Sequence, residues 1–245
     1  MKFGLIGKSL SHSFSKDYIL KNYCQKIPNL QYDLIEIPSE LQLEHFINTN
    51  DLDGFNVTIP YKEKIMSFLS QFTEEAKQAG AVNCVKRTRN GWLGHNTDIE
   101  GFLKSIKPYF SPHWKKALIL GDGGAAKAVL FGLKKLGLSA AFVSRKNNFY
   151  FHTTPVFLYS QIIPEILQYV DVIINTTPAG MFPHVSELPP FPTHLISERH
   201  FVMDLIYNPQ QTLFLKKSAE QGAQTLNGLN MLYFQADASV DFWLK

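Results

Sequence analysis

A glycine-rich turn between an apolar strand and a helix restricts this chain most. Ala117–Leu120 reads as a buried strand, and Gly121-Asp122-Gly123-Gly124-Ala125-Ala126 follows it. A helix then runs to Leu136 and ends at Gly137, where a left-handed cap is expected. Gly121-x-Gly123-x-x-Ala126 fits the dinucleotide fingerprint. Its glycines permit a tight turn and close backbone approach to a pyrophosphate, and the helix start offers N–H donors and positive potential. Gly121, Gly123, Gly124 and Ala125 are the candidates for that contact. A glycine-rich turn without a ligand is the alternative.

The turn after the next strand separates NAD from NADP. Ala140–Val143 is followed by Ser144-Arg145-Lys146. No acid stands ~20 residues past the glycines to bond a ribose 2′-hydroxyl. Two cations occupy the place of a 2′-phosphate partner, which predicts NADP(H); a solvated basic turn is the alternative. Asp122 is discordant, because a carboxylate in a phosphate loop repels anions; it is expected to point away, with weakened cofactor affinity as the alternative.

Upstream, Lys2–Ile6, Tyr32–Ile37 and Asp53–Val57 read as strands. Helices are expected from about Ser15 and from Pro38-Ser39 through Ile47. Ala81–Arg87 and Trp92–His95 flank Asn90-Gly91, a hairpin signal. The pattern predicts an α/β domain with a mixed, mostly parallel sheet. A second unit starts near Ile99 with a helix over Glu100–Ile106, stopped at Pro108. Its further strands fall at Val170–Asn175 and Phe201–Leu205, Asn147–Ser160 is expected to be loop, and Leu229–Phe242 has helical spacing.

Composition removes other classes. Hydrophobic residues make up 45% and charged residues 18%, which excludes a mainly disordered chain. The net charge of +3 is too small to argue for nucleic acid or a membrane surface. Only Cys24 and Cys84 are present, so neither a disulfide framework nor a metal site is expected, and a reducing cytoplasm fits. The first apolar run is too short for a signal peptide, and no stretch approaches ~18 apolar residues.

Three polar clusters sit at predicted strand ends. In Ser11-His12-Ser13-Phe14-Ser15, the hydroxyls of Ser13 and Ser15 are placed either to face one ligand or to cap the next helix. In Asn56-Val57-Thr58-Ile59-Pro60-Tyr61-Lys62, Asn56 and Thr58 share a face at a strand end. Lys62 is a candidate general acid/base there, or a surface lysine opening a helix. Asn83 and Asp98 flank the hairpin and are placed to meet beside Lys62; Asp98 as a helix cap is the alternative.

Taken together, these motifs resemble shikimate dehydrogenase. The match runs through Ser13-x-Ser15, Asn56-Val57-Thr58-x-Pro60-x-Lys62, Ala79-Gly80-Ala81-Val82-Asn83, Asn96-Thr97-Asp98, Gly121-x-Gly123-Gly124-Ala125, Asn175-Thr176-Thr177-Pro178-x-Gly180-Met181 and Gly228-Leu229-x-Met231-Leu232-x-x-Gln235. The resemblance implies NADPH-dependent reduction of 3-dehydroshikimate to shikimate, in the route to chorismate and aromatic amino acids. It implies a substrate-binding catalytic domain over 1–98 and 227–245, and a Rossmann NADP-binding domain over 99–226. Lys62 and Asp98 would be the catalytic pair. Ser13, Ser15 and Tyr207 would meet the substrate carboxylate, and Thr58, Asn83 and Gln235 would bind its hydroxyls or position it. Leu205, Gly228 and Glu74 would lie on the cofactor side, with Ser144, Arg145 and Lys146 at the adenosine ribose. Monomer and homodimer both fit. A relaxed quinate/shikimate dehydrogenase and a catalytically inactive ligand-sensing module are the rivals. The chain departs from the family at Lys16, where proline is usual, and at Cys84, where threonine is commoner. His12 is read as structural and His95 as facing solvent.

Overall fold

Short apolar strands alternating with amphipathic helices build two separate parallel-type sheets. We describe the protein from a computed structural model, which covers residues 1–10, 14–146, 151 and 153–245. The elements are β1 (Lys2–Gly7), α1 (Ser15–Tyr23), β2 (Gln31–Glu36), α2 (Glu40–Thr49), β3 (Gly54–Val57), β4 (Gln71–Phe72), α3 (Glu74–Ala79), β5 (Cys84–Thr88), β6 (Gly91–His95) and α4 (Asp98–Ile106). There follow β7 (Lys116–Leu120), α5 (Gly124–Lys135), β8 (Ser139–Ser144), β9 (Val156–Leu158), α6 (Pro164–Leu167), β10 (Val172–Asn175), β11 (Phe201–Asp204), α7 (Leu213–Glu220), β12 (Gln224–Leu226) and α8 (Leu229–Leu244). The chain divides into two units, Met1–Gly101 with Tyr233–Lys245, and Phe102–Leu232.

In the first unit the strand order is β2-β1-β3-β5-β6-β4. The pairs β2/β1 and β1/β3 are parallel, and the hairpin β5/β6 adds antiparallel to β3. Alternation along β1 sorts its side chains: Phe3 and Leu5 enter one apolar cluster with Trp243 of α8, and Ile6 enters the other with Phe55 and Val57. Phe3 stacks on Trp243 with ring centroids 4.3 Å apart, which fixes the last helix to the first strand.

In the second unit all strands are parallel, in the order β12-β11-β10-β7-β8-β9. From the central β7 the order is that of a doubly wound dinucleotide fold. Both faces are covered: Ala117 and Ile119 of β7 pack with Val129 and Leu133 of α5, whereas Leu118 and Leu120 pack with Phe214 of α7. Such strands read as continuous apolar runs.

Two local expectations need correction. The loop expected over Asn147–Ser160 instead contains β9, paired in register with β8 through Val143 and Phe157; residues 147–150 and 152 lie outside the described ones. A three-residue edge strand is too short to show alternation, and it forms because β8 offers it a ladder. Pro108 does not end the helix abruptly: a 3₁₀ turn over Lys107–Tyr109 carries the chain on. The edge strand β4 and helix α3 are too short for their periodicity to announce them in the sequence.

Candidate active site

In the first sheet β1 lies between β2 and β3, so the segments leaving β1 and β3 depart side by side at the carboxyl edge. Parallel sheets bind ligands at such a point. Gly7 permits the close passage, since a Cβ there would lie 2.6 Å from Thr58 Cγ2. Thr58 N–H donates to Ile6 O (2.9 Å) and Lys8 N–H to Ile59 O (3.2 Å). Thr58 and Lys62, both half-buried, follow β3, and Ser15 is buried as the first residue of α1. The residue capping α1 is Phe14, without a side-chain cap bond, so Ser15 is not the helix cap. Ser11, His12 and Ser13 lie outside the described residues.

Lys62 donates from Nζ to Asp98 Oδ2 at 2.6 Å. The side chains are 17% and 6% exposed, so the pair is shielded on the carboxylate side and open on the ammonium side. Asp98 opens α4, yet its oxygens serve side chains rather than the helix start; Ile99 N–H donates to Asn96 Oδ1 at 3.4 Å. Asn83 Nδ2 donates to Asp98 Oδ1 (2.8 Å) and to Thr97 Oγ1 (2.9 Å), which uses both amide protons. Its Oδ1 accepts from Thr97 N–H at 2.7 Å, and Gln235 Oε1 stands 3.5 Å from its Nδ2.

A buried polar chain backs this pair. Tyr32 OH donates to Asn56 Oδ1 (2.9 Å), and Asn56 Nδ2 donates to Ser239 Oγ (2.8 Å) and Asn83 O (3.1 Å). Ser239 Oγ donates to Gln235 O (2.8 Å) and lies 3.1 Å from Thr97 Oγ1. Burial pushes the Tyr32 hydroxyl and the Cys84 thiol well up, so both stay neutral. Sequence reasoning missed Ser239 and Tyr32. Ser239 stands one helical turn after Gln235 on the same face of α8, a spacing that carries the signal.

Other predicted residues are spread wider. Glu74 is exposed on the first turn of α3. Tyr207 is half-buried after β11 and belongs to the second unit. His95 does not face solvent: Thr73 Oγ1 lies 2.8 Å from its Nδ1, and its ring stacks on Phe242 at 4.6 Å.

The second sheet has its own switch point, between β7 and β10. Gly121 adopts φ +110°, open to glycine, and a Cβ there would lie 2.7 Å from Thr176 Oγ1. Gly123 caps α5 with no side-chain bond; a Cβ on it would meet nothing within 4 Å. Gly124 and Ala125, half-buried, form the first turn of the helix. This uncapped start, with backbone open at Gly123, suits an incoming phosphate. Arg145 is exposed. Asp122 turns toward the end of β8, where Oδ2 accepts from Ser144 Oγ (2.8 Å) and forms an ion pair with Lys146 Nζ (3.2 Å). Burial pushes the nearby Tyr159 hydroxyl up to about 12, with Arg145 lowering it and Asp122 raising it.

Beyond β10 and β11, Asp204 Oδ1 accepts from Asn175 Nδ2 (3.0 Å) and Ile206 N–H (3.1 Å), and its Oδ2 accepts from Thr212 Oγ1 (2.7 Å). Burial pushes this carboxyl up to about 6. Leu205 follows it, and Gly228 approaches so closely that a Cβ there would lie 1.9 Å from Leu205 O. Among the described residues no three side chains gather as metal ligands, and no helix is long and apolar enough to cross a membrane.

Residues 5–85 match the family described as the shikimate dehydrogenase substrate binding domain. A curated relative, shikimate dehydrogenase (NADP(+)) from Caldicellulosiruptor saccharolyticus, is 37% identical over 99% of this chain and 91% of its own. The crystal structure of shikimate dehydrogenase 1 from Peptoclostridium difficile is 34% identical, with a TM-score of 0.87 over 99% of this chain and 91% of that one. Shikimate 5-dehydrogenase from Thermus thermophilus, solved in complex with NADP(H) and shikimate, is 27% identical with a TM-score of 0.86, covering 99% of this chain and 93% of that one.

Proposed function

The chain belongs to the shikimate dehydrogenases, a family of NADP-dependent oxidoreductases, and on that premise we propose that it interconverts 3-dehydroshikimate and shikimate in the route to chorismate and aromatic amino acids. The observation that carries this reading is the Lys62–Asp98 pair at 2.6 Å, shielded on its carboxylate side and bonded to Asn83. When bound, the nicotinamide carries the hydride. Lys62 supplies an N–H donor and positive charge to the oxygen that becomes alkoxide, and Asp98 holds the lysine in place. Thr58, Asn83 and Gln235 serve the substrate hydroxyls, and Ser13, Ser15 and Tyr207 its carboxylate.

The substrate-binding domain comprises 1–98 and 227–245 in this proposal, and residues 99–226 hold NADP(H). Gly121, Gly123, Gly124 and Ala125 take the pyrophosphate, Ser144, Arg145 and Lys146 the adenosine ribose, and Leu205, Gly228 and Glu74 the cofactor's remaining flank. The partner is a small molecule, with no nucleic acid or membrane required, and monomer and homodimer both accommodate it. The free thiols of Cys24 and Cys84 favour a reducing cytoplasm.

Oxidation of shikimate with NADP⁺, followed at the NADPH absorbance, tests the proposal. Turnover that exceeds that of quinate supports it. Absence of turnover by folded protein that binds NADP⁺, or faster turnover of quinate, overturns it.

A further inference from the structure

We infer that Asp122 weakens discrimination between NADP and NAD in this chain, acting against a 2′-phosphate and for a free ribose 2′-hydroxyl. The inference rests on the reading above that α5 and the turn after β8 hold the dinucleotide. In NAD-binding members of this fold class a carboxylate at the end of the second strand accepts from the ribose 2′-hydroxyl. Here that strand ends in Ser144, and sequence alone finds no acid there. The structure brings one from the other direction, out of the phosphate loop.

Asp122 Oδ2 accepts from Ser144 Oγ at 2.8 Å and pairs with Lys146 Nζ at 3.2 Å. Lys146 N–H donates to Ser144 Oγ at 3.1 Å, so the basic turn folds round the carboxylate. Two consequences follow. Lys146, 66% exposed, is already partly neutralised before any anion arrives, and Asp122, 21% exposed, is the better held of the two. A 2′-phosphate of nearly two negative charges must then compete with Asp122 for the lysine and lie near a like charge. A ribose hydroxyl meets no such repulsion and has an acceptor, because Asp122 Oδ1 has no hydrogen-bond partner among the described residues.

Calorimetric titration of NADP⁺ and NAD⁺ without shikimate tests this on wild type, Asp122→Asn, Asp122→Ala, Lys146→Ala and Asp122→Asn/Lys146→Ala. Titrating 2′,5′-ADP against 5′-AMP isolates the adenosine end. Asp122→Asn is expected to tighten NADP⁺ by roughly 3- to 10-fold, the scale of a partly screened charge pair. It is expected to loosen NAD⁺ by about 2-fold or more, and Asp122→Ala is expected to move both ligands the same ways. Lys146→Ala should cost NADP⁺ more in the Asp122→Asn background than in wild type, since only there is the lysine released. Unchanged constants, or both dinucleotides moving together, overturn the inference while leaving the functional reading intact. A wild type that binds neither dinucleotide overturns both.

Discussion

Lys62 Nζ and Asp98 Oδ2 lie 2.6 Å apart, and the other carboxylate oxygen of Asp98 accepts from Asn83 at 2.8 Å. The three side chains come from the segment after β3, the start of α4 and the residue before β5. A lysine held this way keeps one donor on Asp98 and can aim another at a substrate oxygen. Lys62→Ala is therefore expected to lower kcat by ~10²–10⁴, the usual range for loss of a general acid or base, with far less change in KM for shikimate. Steady-state kinetics in both directions check this; near wild-type kcat would remove Lys62 from the chemistry.

Ser15 is expected to act on affinity instead. It is buried at the first position of α1, and Phe14 rather than Ser15 occupies the cap position. A hydroxyl bonded to a carboxylate remote from the reacting carbon serves ground and transition state alike. Ser15→Ala should raise KM for shikimate by the equivalent of about 1.5–3 kcal/mol and leave kcat nearly level. A fall in melting temperature with KM unchanged would instead assign the hydroxyl to folding.

Two glycines should respond in opposite ways to alanine. At Gly123, φ is −86° and a Cβ meets nothing within 4 Å, so Gly123→Ala should leave thermal stability nearly unchanged. It should weaken NADP⁺ binding, because the methyl group stands where backbone must approach pyrophosphate. At Gly228 a Cβ would lie 1.9 Å from Leu205 O, and backbone must shift to admit it. Gly228→Ala should cost about 1–3 kcal/mol of stability. Calorimetric melting and NADP⁺ titration on both variants separate the two roles; equal melting temperatures would contradict the crowding.

Arg145 is exposed at the turn that follows β8. A guanidinium there can stack on adenine and bond a 2′-phosphate. Arg145→Asp should lower kcat/KM for NADP by about 10-fold, after allowance for screening, and leave NAD level or better. An equal loss with both cofactors would mean that this side chain does not read the phosphate.

The longer strands and helices and the meeting of Lys62, Asn83 and Asp98 are legible in apolar strands, a hairpin turn and polar residues at strand ends, whereas the short elements β4, α3, β9, α6, α7 and β12 carry too little pattern to be read. The partners of Asp122 are not legible either. Ser144 and Lys146 are more than twenty residues away and meet it only because β7 and β8 are parallel neighbours with Leu120 opposite Val143. Ser239 escaped for a similar reason. A serine in an apolar helix carries no visible purpose until Asn56 and Thr97 from other elements converge on it. His95 was misjudged because the stacking ring of Phe242 comes from the far end of the chain.

Asp204 yields a prediction about pH. Its carboxyl is fully buried, and burial outweighs the donors Thr212, Ile206 and Asn175, so it binds its proton up to about pH 6 against an ordinary value near 3.8. Between those values the native state holds more protons than the unfolded chain. Stability therefore falls as pH rises through that window and is level on either side, with a full swing of about 3 kcal/mol. Asparagine at this position cannot titrate, yet its amide oxygen can accept from Ile206 N–H and Asn175 as Oδ1 does now. Thr212 Oγ1, which already accepts from Leu215 N–H at 3.2 Å, would receive the amide donor instead of giving its own proton. Asp204→Asn is thus expected to lose stability relative to wild type near pH 4 and to regain up to about 3 kcal/mol of that difference by pH 7. Urea unfolding of both proteins at half-unit steps from pH 4 to 7.5 measures this directly. Parallel curves would show that Asp204 does not change its protonation between the folded and unfolded chain in this range.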